Sequence, residues 1–529
     1  MTGFIEIWPQ IRDLLLYAAF FFVIAILGYA AMMLTLSRRA PRRDAAGAPS
    51  AGVASEGVAS EGAASEGAAS EGAASTNEPF VVFVLPCLNE ARVIGASLDR
   101  LLSFDREQQL ILVVDDGSDD NTAAIVAGYK HPQVRLLRRF LPNARKGKGE
   151  ALNAAYQYLV SSDALAGKDP RDVILVVLDA DGRLETNALA EVLPMFADPQ
   201  IGGVQIGVRI NNRHVNKLAR MQDLEFVTFT DVFQRGRRHL GSVCLGGNGQ
   251  FMRVAALMTL GDRPWTTSLT EDLDLGVRLI VAGWRNDYCP TTAVHQQGVT
   301  EFRRLVRQRT RWFHGHLQSW ALLSDVVRNV RGRARRDLFY HLTAPALLLT
   351  ASLLTIAFLT GIVAVVREGL GGDAFHGWWL LSAYVLALAP ATAFSQVYYE
   401  REKHEGMTRL GAFRTAHLYV LYGFMWYLAG WGAIGRIIRD RVEWAKTDRH
   451  VETDETTLPA IKGAVAADDS WAGASQTPLS AEPAQTARFA EGEALPSGAA
   501  QPAARGSARR LTRFARRAHP TAVDPAPHR

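Results

Sequence analysis

The sequence predicts an α/β domain with a doubly wound, mostly parallel sheet, joined to an α-helical transmembrane region. Short apolar runs at residues 80–85, 110–114 and 173–178 have the length of buried strands. Helical stretches at residues 94–102 and 149–160 separate these runs, and this alternation is typical of parallel sheets. Longer apolar segments before and after this domain indicate the membrane region.

Composition limits the functions that the chain can have. Its 529 residues are 48% hydrophobic with a pI near 9.1, which leaves room for one catalytic domain, a membrane region and tails. The net charge of +5 suits contact with anionic lipid headgroups, and no nucleic-acid recognition motif is present. Cys87, Cys244 and Cys289 have no metal-ligand spacing, so we expect reduced cytosolic thiols.

The first apolar segment, residues 14–36, carries no charge and predicts a transmembrane helix. At about 1.5 Å per residue it spans a hydrocarbon core of roughly 30 Å. It lacks the basic start of a signal peptide and is longer than a signal core. Because Arg38, Arg39, Arg42 and Arg43 follow it, the positive-inside rule places the next domain in the cytosol. We therefore predict that segment 1–45 is a membrane helix with a basic flank.

Two segments are predicted to be disordered. Ser-Glu-Gly recurs with a period of five residues between residues 51 and 75, so we predict a flexible linker over residues 46–78. Segment 450–529 is rich in Ala, Pro, Ser and Gly and ends in a basic run. A solubilising tail is the favoured interpretation of this segment, and contact with anionic lipid is the alternative.

Polar motifs follow the predicted strands. They are Pro86-Cys87-Leu88-Asn89-Glu90, Asp115-Asp116-Gly117-Ser118 and Asp179-Ala180-Asp181. Ligands of doubly wound sheets bind beyond the carboxyl ends of the strands, so the motifs predict one shared site. In extended backbone, Asp179 and Asp181 would point the same way and bind one divalent cation. Their oxygens favour Mg²⁺ or Mn²⁺.

A basic pair precedes the second helical stretch. Lys146 and Lys148 flank Gly147 where a helix begins, and a cation beside free backbone amides suits a phosphate. Either lysine can serve, and a solvated basic loop is the alternative. A glycine-rich loop, Gly246-Gly247-Asn248-Gly249-Gln250-Phe251, lets the backbone approach a ligand closely, although a bare turn has the same composition.

Two further motifs lie on predicted helices. Thr270-Glu271-Asp272 opens a helical pattern over residues 273–282, with Thr270 as its expected cap and both acids in the first turn. Gln308-Arg309-Thr310-Arg311-Trp312 offers hydrogen-bond donors for a diphosphate and a flat apolar face for a sugar ring. The surrounding arginines, from Arg303 to Arg311, predict a cationic amphipathic helix at a membrane surface. We interpret the neighbouring His314 and His316 as surface or hydrogen-bonding residues.

The order and spelling of these motifs resemble the family 2 glycosyltransferases. The resemblance is to their membrane-integrated branch, which contains cellulose, hyaluronan and poly-N-acetylglucosamine synthases and bacterial glucosyl-diacylglycerol synthases. It covers residues 80–316, and more loosely the chain up to residue 449. It implies a GT-A fold, a divalent metal, a UDP-sugar donor and transfer with inversion at the anomeric carbon.

The resemblance also assigns expected roles. Asp272 would be the general base, and Asp179 and Asp181 would hold the metal. The expected donor-binding residues are Asn89, Glu90, Asp115, Asp116, Lys146, Lys148, Asp179, Gln308 and Arg311. Either Asp115 or Asp116 would accept the uracil N3 proton, with Asp116 favoured. The expected acceptor-binding residues are Gly247, Asn248, Gly249, Gln250, Glu271 and Trp312.

Further membrane helices are predicted near residues 343–366, 378–397 and 417–434. With the first helix they make an even number of crossings, which would put the C-terminus outside the cell. The positive-inside rule would instead keep the C-terminus in the cytosol, because five basic residues follow the last segment: Arg436, Arg439, Arg441, Lys446 and Arg449. Two alternatives would reconcile these expectations, namely that one segment is interfacial or re-entrant, or that the chain has a fifth crossing. The predicted domains are thus a cytosolic transferase at 79–325 and a membrane region at 326–449, in a multi-pass protein of the cytoplasmic membrane.

The acceptor has two candidate classes. Trp312 beside Gln308 and Arg311 suits a stacked terminal sugar and so a growing β-linked polysaccharide, which is the favoured prediction. The small number of membrane helices suits instead a glycolipid synthase that glucosylates diacylglycerol or a similar lipid. The donor sugar, expected to be glucose or N-acetylglucosamine, has no motif of its own. A catalytically inactive membrane scaffold is disfavoured by the complete set of acidic residues.

Overall fold

A computed structural model describes residues 24–39, 78–368 and 374–439. The predicted tail, most of the predicted linker and the start of the first apolar segment lie outside the described residues. Within them, the first predicted membrane helix corresponds to α1, Ile24–Ser37.

The centre of the described fold is an eight-stranded sheet in the order β3-β2-β1-β4-β7-β6-β8-β5. The strands are β1 (Phe80–Cys87), β2 (Gln109–Asp115), β3 (Val134–Arg138), β4 (Val173–Val177), β5 (Arg183–Leu184), β6 (Ile201–Ile210), β7 (Gln250–Arg253) and β8 (Arg285–Gln296). Strands β3, β2, β1 and β4 are parallel, as predicted. Strands β6 and β8 are also parallel, whereas β7 runs antiparallel to both of its neighbours and β5 antiparallel to β8. The described sheet is therefore mixed, with four parallel and three antiparallel pairings.

Helices cover both faces of the sheet and then extend beyond it. The first helices after α1 are α2 (Ile94–Leu102), α3 (Thr122–Gly128), α4 (Lys148–Ser161), α5 (Ala188–Val192), α6 (Lys217–Thr228), α7 (Arg235–Arg238) and α8 (Val254–Met258). The later ones are α9 (Glu271–Val281), α10 (Phe302–Gln318), α11 (Leu323–Asn329), α12 (Gly332–Glu368), α13 (Ala374–Glu402) and α14 (Arg409–Ile438). The helices predicted at residues 94–102 and 149–160 are confirmed within one residue.

The core lies on both sides of β1. Val81 and Phe83 pack into the apolar layer under α2, whereas Val82 and Val84 pack into the layer under α4. Successive side chains of a strand point to opposite faces, so a strand buried on both faces has a continuous apolar sequence. This double burial explains why the apolar run 80–85 predicted the strand correctly.

Each predicted C-terminal membrane segment falls in one long helix, α12, α13 or α14. Within the described ranges, Gly332–Thr355 is the one helical segment that meets the length and apolarity required to cross a bilayer. Helix α10 packs against α12 and α14, and α13 packs against α14 and α6. The long helices are therefore joined to the sheet domain chiefly through α6 and α10.

A buried charge network ties the end of α13 to the sheet. Arg209 on β6 forms an ion pair with Asp223 on α6 at 3.1 Å and also contacts Glu402. Arg213 contacts Glu402 at 3.1 Å. Removing one member of such a network leaves an uncompensated buried charge, so the network fixes where α13 meets the domain.

Helix α1 packs against the start of α12 and against α7. Tyr29 donates a hydrogen bond from its hydroxyl to Asp337 at the start of α12, at 2.8 Å. Met33 is fully buried against Gly236, where an added Cβ would lie 2.7 Å from the Met33 sulfur. The small glycine thus lets α1 approach α7 closely.

Gly315 sets the position of α10 against the acidic motif that opens α9. A Cβ at Gly315 would lie 2.6 Å from the Thr270 nitrogen and 2.8 Å from the Leu269 carbonyl carbon, both of which are backbone atoms. Backbone cannot move away as a flexible side chain can. Only glycine therefore allows this approach of α10 to α9.

We predict that Gly315→Ala lowers the free energy of unfolding by about 1–3 kcal/mol, the usual cost of overpacking. Gly128→Ala is the matched control, because it is also a helical glycine but its Cβ would meet nothing within 4 Å. Thermal melting of the two variants measures the difference. Equal melting temperatures would show that the α9–α10 contact adapts without cost.

Candidate active site

One cavity of about 1,260 Å³ lies between the carboxyl ends of the central strands and helices α9, α10, α12 and α14. The part of its wall formed by the sheet, α4, α9 and α10 is polar, and it includes Glu90, Asp116, Lys148, Asp179, Glu271, Asp272 and Arg311. The part formed by α12 and α14 is apolar, and it includes Leu347, Leu348, Ala351, Val420, Leu421 and Phe424. A single space thus joins charged and apolar surfaces.

The structure separates the two aspartates that follow β2. Asp115 is fully buried, lies off the cavity wall and accepts a hydrogen bond from the Ser118 nitrogen at 3.0 Å, which closes the turn. Asp116 lines the cavity and forms an ion pair with Arg139. Burial raises the pKa of Asp116 above its ordinary value, although Arg139 opposes this shift. Asp116 is therefore the carboxylate that a ligand can reach.

Asn89 joins two strand-end loops instead of lining the cavity. It adopts a left-handed backbone conformation with φ of 55°. Its side-chain oxygen accepts from the Asp119 nitrogen at 2.8 Å, and its own nitrogen donates to the Ser118 hydroxyl at 2.9 Å. Glu90, the next residue, does line the cavity. Asn89 thus positions the loop that carries Glu90.

Lys148 lies among the acids at the first position of α4. Its ammonium donates to Asp179 Oδ1 at 2.6 Å and to the Gly247 carbonyl. Burial alone would lower the pKa of Lys148, but the carboxylates of Asp179, Glu271 and Asp272 raise it above its ordinary value. Lys146 is exposed and lies off the cavity wall. The structure thus favours Lys148 as the lysine of the site.

The extended geometry expected for Asp179 and Asp181 is wrong, because residues 179–182 form a turn closed by a 2.8 Å bond from the Gly182 nitrogen to the Asp179 carbonyl. Asp179 lines the cavity, whereas Asp181 is buried behind it and accepts from the Gln297 nitrogen at 3.1 Å. The carboxylate oxygens of Asp179 and Asp181 still suit a divalent cation such as Mg²⁺ or Mn²⁺. Asp179 already binds one cation, the ammonium of Lys148.

Glu271 and Asp272 occupy the first turn of α9, as predicted, and both line the cavity. Thr270 is the N-cap residue, but its side chain makes no capping hydrogen bond. The Leu273 nitrogen instead donates to Asp272 Oδ1 at 2.8 Å. Burial, and then the neighbouring Asp272, raise the pKa of Glu271 to about 7. Burial also raises the pKa of Asp272, which strengthens it as a proton acceptor.

The glycine-rich loop divides into a lining half and a packed half. Gly246, Gly247 and Asn248 line the cavity, and a Cβ at Gly247 would lie 3.0 Å from Asp272 Oδ2. Gly249 has φ of +68° and faces Ile206 and Val294. A Cβ added at Gly249 would lie 2.8 Å from a side-chain carbon of each. Gln250 is a fully buried residue of β7. The expected contact of Gly249 and Gln250 with an acceptor is therefore wrong, because both face the protein interior.

The residues of the α10 motif lie in two different environments, the cavity wall and the protein interior. Gln308, Arg311 and Trp312 line the cavity. Arg309 is fully buried, pairs with Glu225 on α6 and lies under the Trp312 ring at 4.0 Å from its centroid. The prediction that Arg309 belongs to a cationic membrane-facing surface is therefore wrong.

Helix α14 completes the surroundings of Arg309. Tyr422 and Trp426 each donate a hydrogen bond to Glu225 at 2.8 Å. One carboxylate thus binds α6, α10 and α14 together behind Trp312. Glu225 also lines the cavity, and it has no signal in the sequence because a single acid within a helix forms no motif.

The two histidines that follow Trp312 differ in their surroundings. His314 is 5% exposed, so of its two expected roles, surface or hydrogen-bonding, the surface role is wrong. His316 lines the cavity and donates from Nε2 to the His341 carbonyl at 2.8 Å, which confirms a hydrogen-bonding role. Cys87, Cys244 and Cys289 are all buried, and none of them forms a disulfide with another.

Polar strand-end motifs around one cavity on an α/β sheet define a ligand-binding site at the carboxyl ends of the strands. Residues 78–315 match the family described as glycosyltransferase-like family 2. The β-monoglucosyldiacylglycerol synthase of Synechocystis sp. is 32% identical over 284 residues, 52% of this chain and 56% of that protein. The poly-β-1,6-N-acetyl-D-glucosamine synthase of Staphylococcus aureus is 27% identical over 243 residues, 44% of this chain and 54% of that protein.

Among solved structures, the mannosyltransferase PcManGT from Pyrobaculum calidifontis, in complex with GDP-Man and Mn²⁺, has the same fold. The TM-score is 0.52 at 18% identity, covering 82% of this chain and 99% of that one. The chain spans about half the length of the curated relatives that it matches. Residues 78–315, less than half of the chain, are thus similar to family 2 glycosyltransferase domains.

We predict that Arg309→Met destabilises the fold by about 3–5 kcal/mol, because it leaves Glu225 as an unpaired charge in a buried setting. The double variant Arg309→Met with Glu225→Gln is the matched control, since it removes both charges. Thermal melting should show the double variant to be more stable than Arg309→Met alone. Glu225→Gln alone completes the cycle. If the losses of the two single variants add up to that of the double variant, Arg309 and Glu225 are not coupled.

Proposed function

We propose that the protein transfers a hexosyl group from a UDP-sugar to the hydroxyl of a membrane lipid, with inversion and with a divalent metal, at the cytoplasmic membrane. One observation carries this proposal. The cavity that holds Asp179 and Asp272 continues along the apolar faces of α12 and α14. A polar reaction centre that opens into an apolar channel fits a hydroxyl on an acyl-chain lipid.

The exposure of the apolar wall supports entry from a bilayer. Leu421 and Phe424 line the cavity, yet they are 66% and 39% exposed on α14. Much of the surface of these two side chains is therefore left uncovered by the described part of the protein. Burial of acyl chains there would contribute about 25 cal/mol for each Å² of apolar surface removed from water.

Asp272 is the proposed general base. It would accept the proton of the acceptor hydroxyl as that oxygen forms a bond to the anomeric carbon. The bond from the anomeric carbon to the UDP oxygen breaks in the same displacement, so UDP leaves with the electron pair and the configuration inverts. The neighbouring Glu271, with its pKa raised to about 7, would remain in the acceptor subsite as a hydrogen-bonding partner.

The donor would lie along the polar wall. Asp116 would accept a hydrogen bond from uracil N3, and Lys148, Gln308 and Arg311, which also line the cavity, would bind the diphosphate. Asp179, with Asp181 behind it, would hold Mg²⁺ or Mn²⁺. When bound, the metal neutralises negative charge on the departing UDP. Two observations support a metal. The Asp179 carboxylate already binds the Lys148 ammonium, and PcManGT binds Mn²⁺ together with GDP-Man.

A growing β-linked polysaccharide is the second candidate acceptor. The observation that favours it is the Trp312 ring, which lines the cavity while Arg309 lies 4.0 Å from its centroid. A ring fixed in this way offers a flat surface for a terminal sugar. The relatives include one synthase named for a glycolipid and one named for poly-N-acetylglucosamine, with glucose or N-acetylglucosamine as the corresponding donor sugars.

Replacing Asp272 by Asn is predicted to lower turnover by roughly 100-fold or more, because the amide cannot accept the proton. Asp274→Asn on the same helix is the matched control, since Asp274 pairs with Arg278 and lies off the cavity wall. Initial rates and UDP affinity by calorimetry separate catalysis from binding. Turnover of Asp272→Asn within a few-fold of wild type would exclude Asp272 as the base.

Removal of divalent metal is predicted to abolish transfer, and Mg²⁺ or Mn²⁺ should restore it. The enzyme is stripped with excess chelator, and UDP release is then followed as each metal is added back. Asp179→Asn should raise the metal concentration needed for half-maximal activity. Full activity in excess chelator would refute the metal site.

The acceptor class is tested by the fate of labelled sugar. Detergent-solubilised enzyme receives labelled UDP-glucose, UDP-N-acetylglucosamine or UDP-galactose together with diacylglycerol. Lipid transfer predicts label in the organic phase as a mono- or diglycosylated product. A ladder of longer, insoluble products would instead establish the polysaccharide.

A further inference from the structure

Two histidines line the cavity where its polar and apolar walls meet. His316 on α10 lies one helical turn after Trp312, on the same face of the helix. His341 on α12 lies seven residues, or about 10 Å, before the apolar Leu348. The two rings are tilted by 55°, with centroids 5.0 Å apart.

Hydrogen bonds fix the tautomers of both rings. Arg237 lies 2.9 Å from His341 Nδ1, and a guanidinium can only donate, so Nδ1 accepts and Nε2 carries the ring proton. His316 Nε2 lies 2.8 Å from the His341 carbonyl, which can only accept, so Nε2 carries the proton and Nδ1 is bare. The pair therefore has one N–H, on His341, and one lone pair, on His316, that these contacts do not use.

A buried network holds this arrangement in place. Arg237 is 3% exposed and donates from Nε to Asp337 at 3.2 Å. Asp337 also accepts from the Ser242 and Tyr29 hydroxyls, each at 2.8 Å. Burial depresses the pKa of His316 to about 4, so its ring is neutral near pH 7. The histidine pair is thus pre-organised and uncharged.

We propose that His341 recognises the ester linkage of a neutral glycerolipid acceptor, with its Nε2–H donating to an acyl carbonyl oxygen. This inference rests on the proposed lipid transfer. In a glycerolipid the ester linkage lies between the reactive hydroxyl and the acyl chains. His341 has the corresponding position in the cavity, between the polar wall and the apolar Leu348. His316 is a positioning residue, and its bare Nδ1 disfavours an anionic phosphate linkage, which needs several donors.

The test compares two acceptors with identical chains, dioleoylglycerol, which has ester carbonyls, and dioleylglycerol diether, which lacks them. Wild-type kcat/KM should favour the ester by about 3- to 10-fold, the value of one neutral hydrogen bond. His341→Asn keeps an oxygen that can accept from Arg237 but lacks a donor at the Nε2 position. In His341→Asn, kcat/KM for the ester lipid should fall while kcat/KM for the diether stays the same, so the ester preference is lost.

His341→Gln places an N–H near the Nε2 position and should recover the preference. UDP affinity and melting temperature, measured in parallel, show that each variant is folded. An unchanged ester preference in His341→Asn, or an equal loss on both acceptors, would overturn the role of His341. If the wild-type enzyme glycosylates neither lipid and makes polymer instead, the proposed function itself fails, and this inference fails with it.

Discussion

The carboxylate of Glu225 holds together the three parts of the molecule that the cavity requires. It lies on α6, which packs on the sheet, and it binds Arg309 of α10 together with Tyr422 and Trp426 of α14. Arg309 in turn lies beneath the ring of Trp312. The position of the cavity's aromatic surface therefore depends on one buried ion pair that joins sheet domain and long helices.

Such a pair is a weak source of net stability, because desolvation of both charges offsets their attraction. Its value lies in geometry, since a guanidinium and a carboxylate with further donors have few favourable arrangements. Gly315 adds a second constraint six residues after Arg309, by allowing α10 to contact the backbone before Glu271 and Asp272. Together they bring the α10 motif and the acidic motif of α9 to the same space.

Much of the fold was predictable from sequence. Strands β1, β2 and β4 and helices α2, α4 and α9 lie within two residues of their predicted bounds, because burial on both faces or regular helical spacing leaves a clear pattern. Strands β3, β5, β6, β7 and β8 were not predicted. Among them the antiparallel β7, with four residues, carries too little pattern to be recognised. It nevertheless decides the sheet topology, because it lies between β4 and β6.

The candidate site was predictable in its motifs but not in the direction of each side chain. Asp116, Lys148, Asp179 and Asp272 line the cavity, whereas Asp115, Lys146 and Gln250 from the same motifs do not. Neighbouring residues of one motif point to opposite sides of a turn or strand, and sequence alone does not say which side is the cavity. Glu225 and His341 have no local signal, because only tertiary packing brings them to the site.

The central claim is that one cavity carries both sugar transfer and the lipid acceptor, and filling its apolar part tests this claim most directly. Ala351→Trp places an indole on the wall formed by α12, and Leu353→Trp is the control, because Leu353 is 54% exposed and lies off that wall. The quantity to measure is kcat/KM for a long-chain and for a short-chain diacylglycerol, alongside UDP affinity. The account predicts that Ala351→Trp selectively lowers transfer to the long-chain lipid, with UDP binding and the control variant unchanged. Equal activity of Ala351→Trp and wild type on the long-chain lipid would contradict it.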